Sequence, residues 1–359
     1  MRPIAASISR SALLHNLGVA KRRAPGTAVW AVVKANAYGH GLARTVAALE
    51  SADGFALLEL DLAARLRDAG IGKPVLLIEG FFDAGELETF SARGLIAVVH
   101  DAEQLRMLET AKLRAPVDVY LKINTGMNRL GFSIANAAGA LQRLRNCAGV
   151  GAITLMTHFA DADGERGVGE QMQRLAAAGI GRELPRSFAN SAALLRYPET
   201  HGDWVRPGIM LYGCSPFPDE SAASLGLKPA MTLKSHLVAV QELRPGDRIG
   251  YGGTFTADAA MRIGIVACGY ADGYPRHAPG FDDRSTPLLV AGKRTRTLGR
   301  VSMDMLYADL SAIPEASVGT EVTLWGEGLS ADEVAAAAGT VSYELLCALA
   351  ERVPVNEID

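Results

Sequence analysis

From residue 28 to residue 212, short apolar runs alternate with amphipathic stretches that have helical spacing. The apolar runs are rich in β-branched and aromatic residues, a composition typical of buried strands. One stretch, 60–69, ends at Gly70, which suits a helix C-terminus, and another begins after Asp101, a suitable N-cap. The pattern predicts strands at 28–33, 54–58, 74–78, 95–99, 117–123, 151–157, 186–189 and 209–212.

Strands that alternate with helices in this number predict a closed (β/α)8 barrel of the TIM type. The alternative, an open doubly wound sheet, usually has fewer strands and a glycine-rich phosphate loop after the first one. No G-x-G-x-x-G follows the run at 28–33. The sequence therefore favours an N-terminal barrel.

The pattern changes near residue 225. From Met231 onward, runs rich in Thr, Val and Ile are separated by Pro-Gly and Gly-Gly, which is typical of closely spaced strands. One or two helices are predicted near the end, around 331–338 and 342–351. The chain is thus expected to be α/β, with a barrel over 1–228 and a mostly β C-terminal domain over 229–359.

Composition narrows the class of protein. The 359 residues are 49% hydrophobic and 21% charged, which suits a large folded core. A net charge of -3 gives no electrostatic reason to expect nucleic acid or an anionic membrane as a partner. No apolar window is long enough for a transmembrane helix, and the first residues lack the apolar centre of a signal peptide. Four widely spaced cysteines, without C-x-x-C, predict reduced thiols, no bound metal and a cytoplasmic protein.

Lys34 follows the first apolar run directly. A strand of that composition is expected to carry its end toward the interior, and burial lowers the pKa of a lysine, leaving an amine that can form a Schiff base. The alternative is a lysine that extends its ammonium from the barrel end to solvent. The lysine alone does not decide between the two.

Other chemically useful residues also fall at predicted strand ends, where barrel enzymes collect their functional groups. The fifth strand leads to Lys122 and Arg129, the sixth to His158, the seventh to Asn190 and Ser191, and Arg206 precedes the eighth. The regularity of this placement favours a functional role for the set.

At these positions the sequence resembles the alanine racemases that depend on pyridoxal 5'-phosphate (PLP). The resemblance covers nearly the whole chain and rests on seven ordered motifs: 34–41 (KANAYGHG), 125–131 (TGMNRLG), 190–192 (NSA), 206–213 (RPGIMLYG), 269–273 (GYADG), 299–304 (GRVSMD) and 342–344 (SYE). It implies a barrel followed by a β domain, as the pattern predicts independently.

The resemblance implies an isomerase that interconverts L- and D-alanine with two acid/base groups on opposite faces of the substrate α-carbon. Lys34 would hold the cofactor and act on one face, and Tyr270 of the other subunit would act on the opposite face. His158 and Arg206 would support Tyr270. Since an unperturbed phenol has a pKa of about 10, it needs such support to act as a base.

The resemblance also assigns the cofactor contacts. Arg206 would pair with the ring nitrogen, and because a guanidinium has only donors, the ring should remain a weaker electron sink. The residues that would contact the cofactor are Lys34, Tyr38, His158, Asn190, Ser191, Arg206, Gly208, Ile209 and Tyr343. Ser191 also suits an ordinary helix N-cap, and the two roles are compatible.

Further roles concern the substrate and the homodimer. Arg129 would bind the substrate carboxylate, and Met303 and Asp304 would enter the partner subunit's site. Lys122 matches a position that is often a carbamate, with an unmodified lysine as the alternative. The resemblance also places Asp163 and Arg300 at the entrance passage.

The implied product serves peptidoglycan synthesis, or the reaction serves alanine catabolism. A broad-specificity racemase is the nearest alternative, although such enzymes are often exported. A PLP-dependent decarboxylase would pair the ring nitrogen with an acid, where this chain has Arg206. A non-catalytic barrel of PLP homeostasis would lack the second domain.

Overall fold

The structure, a computed structural model, describes residues 2–281 and 284–359. The strands, in chain order, are β1 (Ala5–Ser9), β2 (Ala28–Val32), β3 (Gly54–Leu57), β4 (Val75–Leu77), β5 (Ile96–Val99), β6 (Val117–Asn124), β7 (Phe132–Ser133), β8 (Val150–Met156), β9 (Arg186–Ser187), β10 (Trp204–Val205), β11 (Met231–Leu243), β12 (Arg248–Ile249), β13 (Phe255–Thr256), β14 (Met261–Val266), β15 (Gly280–Phe281), β16 (Arg284–Ser285), β17 (Pro287–Val290), β18 (Lys293–Leu298), β19 (Leu306–Asp309), β20 (Glu321–Trp325) and β21 (Val355–Ile358).

The helices are α1 (Arg10–Arg23), α2 (Lys34–Tyr38), α3 (Leu42–Ala48), α4 (Leu60–Asp68), α5 (Glu86–Arg93), α6 (Ala102–Thr110), α7 (Ile134–Asn146), α8 (Gly169–Ala178), α9 (Ser191–Arg196), α10 (Ala331–Ala338) and α11 (Ser342–Cys347). Short 3₁₀ turns lie at Pro198–Thr200, Ile209–Tyr212, Tyr251–Gly253 and Tyr270–Asp272. As the sequence predicts, α4 ends just before Gly70, and the Asp101 side chain caps α6 by accepting from the Glu103 amide.

The first sheet is a parallel barrel with the strand order β10-β2-β3-β4-β5-β6-β8-β9. Its two end strands meet through backbone hydrogen bonds from Asp203 N to Arg186 O and from Arg206 N to Ala189 O, each 2.9 Å long. Trp30 of β2 stacks on Trp204 of β10 with ring centroids 4.3 Å apart. The predicted (β/α)8 barrel is therefore confirmed.

The eighth predicted strand, 209–212, is wrong. These residues form a 3₁₀ turn, and the eighth barrel strand is β10, which lies just before Arg206. The whole turn is buried, and Leu211 O accepts a hydrogen bond from Asn16 of α1. A buried turn and a buried strand can have the same short apolar sequence, so the pattern does not distinguish them, which explains the error. Arg206 consequently follows its strand, as His158 follows β8.

The second sheet is mostly antiparallel, with the order β14-β19-β18-β17-β20-β11-β1-β21. It confirms the predicted β-rich C-terminal region. β1, which the sequence pattern does not predict, comes before the barrel in the chain but belongs to this second sheet. It pairs antiparallel with β11 and parallel with β21. The predicted helix at 331–338 is present as α10, whereas the helix predicted over 342–351 ends at Cys347 as α11.

Among the described residues, no helix is long and apolar enough to cross a membrane. These described residues also contain no group of three or more His, Cys, Asp or Glu side chains that could hold a metal ion. All four cysteines are free thiols.

Candidate active site

A cavity of about 1140 Å³ opens at the carboxyl ends of the barrel strands. The second sheet domain contributes to its wall through α10 and α11. Twelve of the predicted site residues line it: Lys34, Tyr38, Lys122, Arg129, His158, Asp163, Asn190, Ser191, Arg206, Gly208, Ile209 and Tyr343. Four others do not line it: Tyr270, Arg300, Met303 and Asp304.

Lys34 begins an unusual backbone segment. Ala35, Asn36, Ala37 and Tyr38 all have φ between 52° and 54°, so one left-handed turn follows the lysine. Each such L-residue costs about 1–2 kcal/mol relative to a right-handed conformation. The asparagine offsets part of the cost, because its Oδ1 accepts from the Leu42 amide at 2.9 Å and caps α3. Strain of this kind persists only where the surrounding structure enforces it, and such segments cluster at functional sites.

The expectation of an interior lysine applies better to Lys122 than to Lys34. Lys34 is half-buried, whereas Lys122, in β6, is 5% exposed. Burial, together with the nearby positive charges of Arg206 and Arg129, lowers the pKa of Lys122 to about 8. At pH 7 roughly a tenth of this amine is therefore unprotonated, far more than of an ordinary lysine.

Arg206 is fixed by its surroundings. Nη1 donates to the Ser187 carbonyl and hydroxyl at 2.5 and 2.7 Å, and Nη2 donates to the Thr157 and Phe188 carbonyls at 2.7 and 3.2 Å. Burial lowers the pKa of Arg206 to about 10, which still leaves it charged at neutral pH. Its Nε makes no hydrogen bond to the described residues, and the residue lines the cavity. The side chain thus offers one directed donor to an occupant.

Gly208 and Ser191 form a small polar cradle. The Gly208 amide donates to Ser191 Oγ at 2.9 Å, which leaves the hydroxyl hydrogen free to donate elsewhere. The N-cap of α9 is Asn190, whose Oδ1 accepts from the Ala193 amide at 3.0 Å, so Ser191 does not fill that role. The Tyr38 and Tyr343 rings lie beside the cradle with centroids 6.0 Å apart. These donors suit an anion.

His158 lies among the cations and is neutral. Burial, and then the charges of Arg206 and Lys122, hold the pKa of His158 well below its usual value of 6.5. Its carbonyl accepts from Gln171 Nε2 at 3.1 Å, and the same Nε2 donates to Thr125 Oγ1 at 2.6 Å. Gln171 therefore joins the loops that follow β6 and β8.

Tyr270 and Met303 lie together, away from the cavity. The Tyr270 amide donates to the Ser302 carbonyl at 3.1 Å, and the Ala271 amide donates to the Met303 carbonyl at 3.0 Å. Tyr270 is 39% exposed and Met303 is 53% exposed. Both are large apolar groups at the surface of a single chain.

Sequence reasoning missed several residues. Glu79 lines the cavity and follows β4, so the strand-end rule could have found it. Cys347 lines the cavity from the second domain, and Gln171, on α8, contacts Thr125 and the His158 carbonyl. Neither residue has a local sequence signal that predicts its place at the site.

Two family models match the chain, the alanine racemase N-terminal domain over residues 8–216 and the C-terminal domain over residues 230–356. The alanine racemase of Ralstonia pickettii (strain 12J) is 57% identical over 357 residues, covering 99% of this chain and 95% of the relative. The alanine racemase of Burkholderia mallei (strain SAVP1) is 56% identical, covering 99% of both.

Solved structures agree with this. The crystal structure of the biosynthetic alanine racemase from Pseudomonas aeruginosa matches with a TM-score of 0.96 and 48% identity, covering 100% of both chains. Alanine racemase from Acinetobacter baumannii matches with a TM-score of 0.93 and 36% identity, also over 100% of both. With both domain models matched in order and relatives similar over nearly the full length, this chain belongs to the alanine racemase family.

Proposed function

We propose that this protein interconverts L- and D-alanine, with PLP as its cofactor. The observation that carries the proposal is the cavity itself, where Lys34 and the immobilised Arg206 lie with an anion cradle, in a chain of the alanine racemase family. The D-alanine formed would supply peptidoglycan synthesis, or the reaction would serve alanine catabolism.

The residues present fit PLP. Its phosphate suits the cradle of Tyr38, Ser191 and Gly208, because an added Cβ on Gly208 would lie 2.6 Å from the Tyr38 hydroxyl and would fill this space. The Nε donor of Arg206, which has no hydrogen-bond partner among the described residues, suits an acceptor nitrogen on the ring. Lys34 Nζ would hold the cofactor covalently. Ile209, Asn190 and Tyr343 line the remaining wall.

When bound, PLP withdraws electron density from the substrate α-carbon and so makes its proton removable. Lys34 Nζ would take or return that proton on one face. The phenol of Tyr270 of the partner subunit would serve the other face. Neutral His158 and charged Arg206 would lower the cost of forming the phenolate. A guanidinium cannot readily give up a proton, so Arg206 would leave the ring nitrogen unprotonated.

A homodimer would complete each site. Tyr270, Met303 and Met305 are 39%, 53% and 45% exposed and form an apolar surface away from their own cavity. Such a surface is typical of an interface. We infer that residues 229–359 carry Tyr270, Met303 and Asp304 to the partner's cavity, while residues 1–228 bind the cofactor. Arg300 and Asp163 would line the passage to the completed site.

Arg129 would bind the substrate carboxylate, supported by a carbamate on Lys122. The unprotonated Lys122 amine would attack carbon dioxide, form an N–C bond and lose one proton, so a buried cation would become an anion. This change is favoured because Lys122 lies near the positive charges of Arg206, Arg129 and Lys34. Mass spectrometry of the intact native protein would detect the added carbon dioxide, which should be absent from Lys122→Ala.

Free thiols on all four cysteines support a reducing compartment, the cytoplasm.

The deciding experiment incubates the PLP-loaded protein with L-alanine, L-serine and L-lysine in separate deuterated-water reactions. Racemisation with α-deuteration, fastest for alanine, is expected. Similar rates for all three would instead establish a broad-specificity racemase, and loss of the carboxylate would establish a decarboxylase. Borohydride reduction followed by peptide mapping should find the cofactor on Lys34. A protein that binds no PLP would overturn the proposal.

A further inference from the structure

The turn that carries Tyr270 is held by a buried carboxylate from the same turn. Asp272 has a fully buried side chain, and its Oδ2 accepts from the Gly269 amide at 2.9 Å. The Asp272 carbonyl also accepts from the Ala350 amide at 3.2 Å. Because an unpaired charge is costly to bury, this carboxylate needs cationic partners.

Its partners come from opposite ends of the sequence. Arg2 donates from Nη1 to Asp272 Oδ1 at 2.6 Å and from Nη2 to Oδ2 at 3.1 Å, while Arg352 Nε donates to Oδ1 at 2.8 Å. Burial alone would raise the pKa of Asp272, but hydrogen bonds from both arginines hold it below its usual value. The carboxylate therefore remains charged and fully engaged.

The same arginines reach the Met303–Asp304 segment. Arg2 Nη2 donates to the Asp304 carbonyl at 2.7 Å, and Arg352 Nη2 donates to Asp304 Oδ1 at 2.7 Å. Two arginines and two aspartates thus form a neutral group, which we name the 2–272–304–352 clamp. It joins the Tyr270 turn to the neighbouring segment that carries Met303.

The sheet explains why residues 350 positions apart meet here. β1 and β21 pair in parallel with Ala6 opposite Val355, so Arg2 and Arg352 precede their strands at the same edge of the sheet. The Ser235 hydroxyl lies 3.0 Å from both the Pro3 and the Ala267 carbonyls, which fixes the approach of Arg2 to the end of β14. Strand pairing therefore delivers both guanidinium groups to the base of the Tyr270 turn.

We propose that Arg2 and Arg352 are positioning residues for Tyr270, acting through Asp272. This inference rests on the proposed function for the role of Tyr270. The backbone of the turn is fixed at Gly269, Tyr270 and Ala271 by the clamp and by the adjacent segment. Loss of either arginine leaves Asp272 under-paired and lets the phenol move from its proton-transfer position, and small displacements at a reacting centre have large effects on rate.

The test uses holoenzyme variants Arg2→Gln and Arg352→Gln, with Arg10→Gln as a control at an exposed arginine that does not contact Asp272. L- and D-alanine have equal free energy, so kcat/KM must be equal in both directions, and steady-state rates cannot show which base is impaired. Each enantiomer is therefore followed in deuterated water for both α-deuteration and inversion.

The expected result is asymmetric. Racemisation falls about 10- to 100-fold in both arginine variants. The enantiomer whose α-proton faces Lys34 still exchanges with retention, whereas the other loses exchange and inversion together, as with Tyr270→Phe. Arg→Lys at either position should recover part of the rate. Equal losses of exchange for both enantiomers, or unchanged rates, would overturn the proposal.

Amide hydrogen exchange provides an arm independent of catalysis. Protection at Tyr270 and Ala271 should fall in the two variants, while protection in β14 stays as in the parent. If the parent does not racemise alanine, the proposed function fails, yet this arm still reports whether the clamp holds the turn. Unchanged protection at Tyr270 would count against the clamp even in an active enzyme.

Discussion

Gly208 and Tyr38 approach so closely that no side chain fits between them: a Cβ on Gly208 would lie 2.6 Å from the Tyr38 hydroxyl. Gly208→Ala should therefore displace the phenol from the cradle. Loss of one hydrogen bond to a charged phosphate corresponds to roughly tenfold weaker cofactor binding. Titration of the apoenzyme with PLP measures this change in affinity. Gly139→Ala in α7, where nothing lies within 4 Å of the added Cβ, should leave affinity unchanged; equal affinities for both variants would contradict the cradle.

The left-handed turn after Lys34 determines how substitutions at Ala35 should change the free energy of unfolding. Ala35 has φ of 54° and ψ of 51°, so Ala35→Gly should leave the free energy of unfolding unchanged or raise it by up to about 1 kcal/mol. Ala35→Val should lower it by about 1–2 kcal/mol, because β-branched residues strongly disfavour this region. Urea unfolding of the apoprotein measures both. Ala138→Gly, at an exposed position in right-handed α7, should cost about 1 kcal/mol, the opposite sign.

The sequence predicts those parts of the site that depend on local features and not those that depend on contacts between distant residues. Lys34 and His158 each follow a strand whose composition marks it, and Lys122 lies near the end of such a strand, so all three are local features. The pairing of Arg2 with Asp272 spans 270 residues and depends on the β1–β21 register, which no local pattern encodes. The eighth strand was misassigned because only Trp204–Val205 form it, too few residues for a visible period.

A buried histidine makes stability sensitive to acid. Burial lowers the pKa of His40 to about 4, although its Nδ1 lies within hydrogen-bond distance of the Tyr38 and Ala37 carbonyls. Between pH 4 and 6.5 the unfolded chain binds a proton that the folded chain does not. Stability attributable to this group is therefore present above pH 6.5 and falls by about 1.4 kcal/mol per pH unit on acidification.

His40→Gln should reduce that slope, measured as the urea unfolding free energy from pH 7 to pH 4.5. His158 contributes a similar acid loss, so some slope should remain in the variant. The matched change His277→Gln alters an exposed histidine and should leave the slope as it is. A slope in His40→Gln identical to that of the parent would show that His40 is already protonated in the folded chain.

Gln171 provides the last prediction, because one side chain satisfies three groups. Its Nε2 donates hydrogen bonds to Thr125 Oγ1 and the His158 carbonyl, and its Oε1 accepts from the Ala160 amide at 2.8 Å. Gln171→Met keeps the volume but removes the partner of the His158 carbonyl and the Ala160 amide, while Thr125 Oγ1 keeps its contact with Thr157 Oγ1, at a cost of about 1–3 kcal/mol of stability. Since the loop of His158 would loosen, kcat should fall more than KM rises. Gln173→Met, on the exposed face of the same helix, should change stability by less than about 0.5 kcal/mol and leave kcat unaltered. Matching effects at the two positions would mean that the loss comes from α8 as a whole, and that Gln171 has no separate role in holding the two loops together.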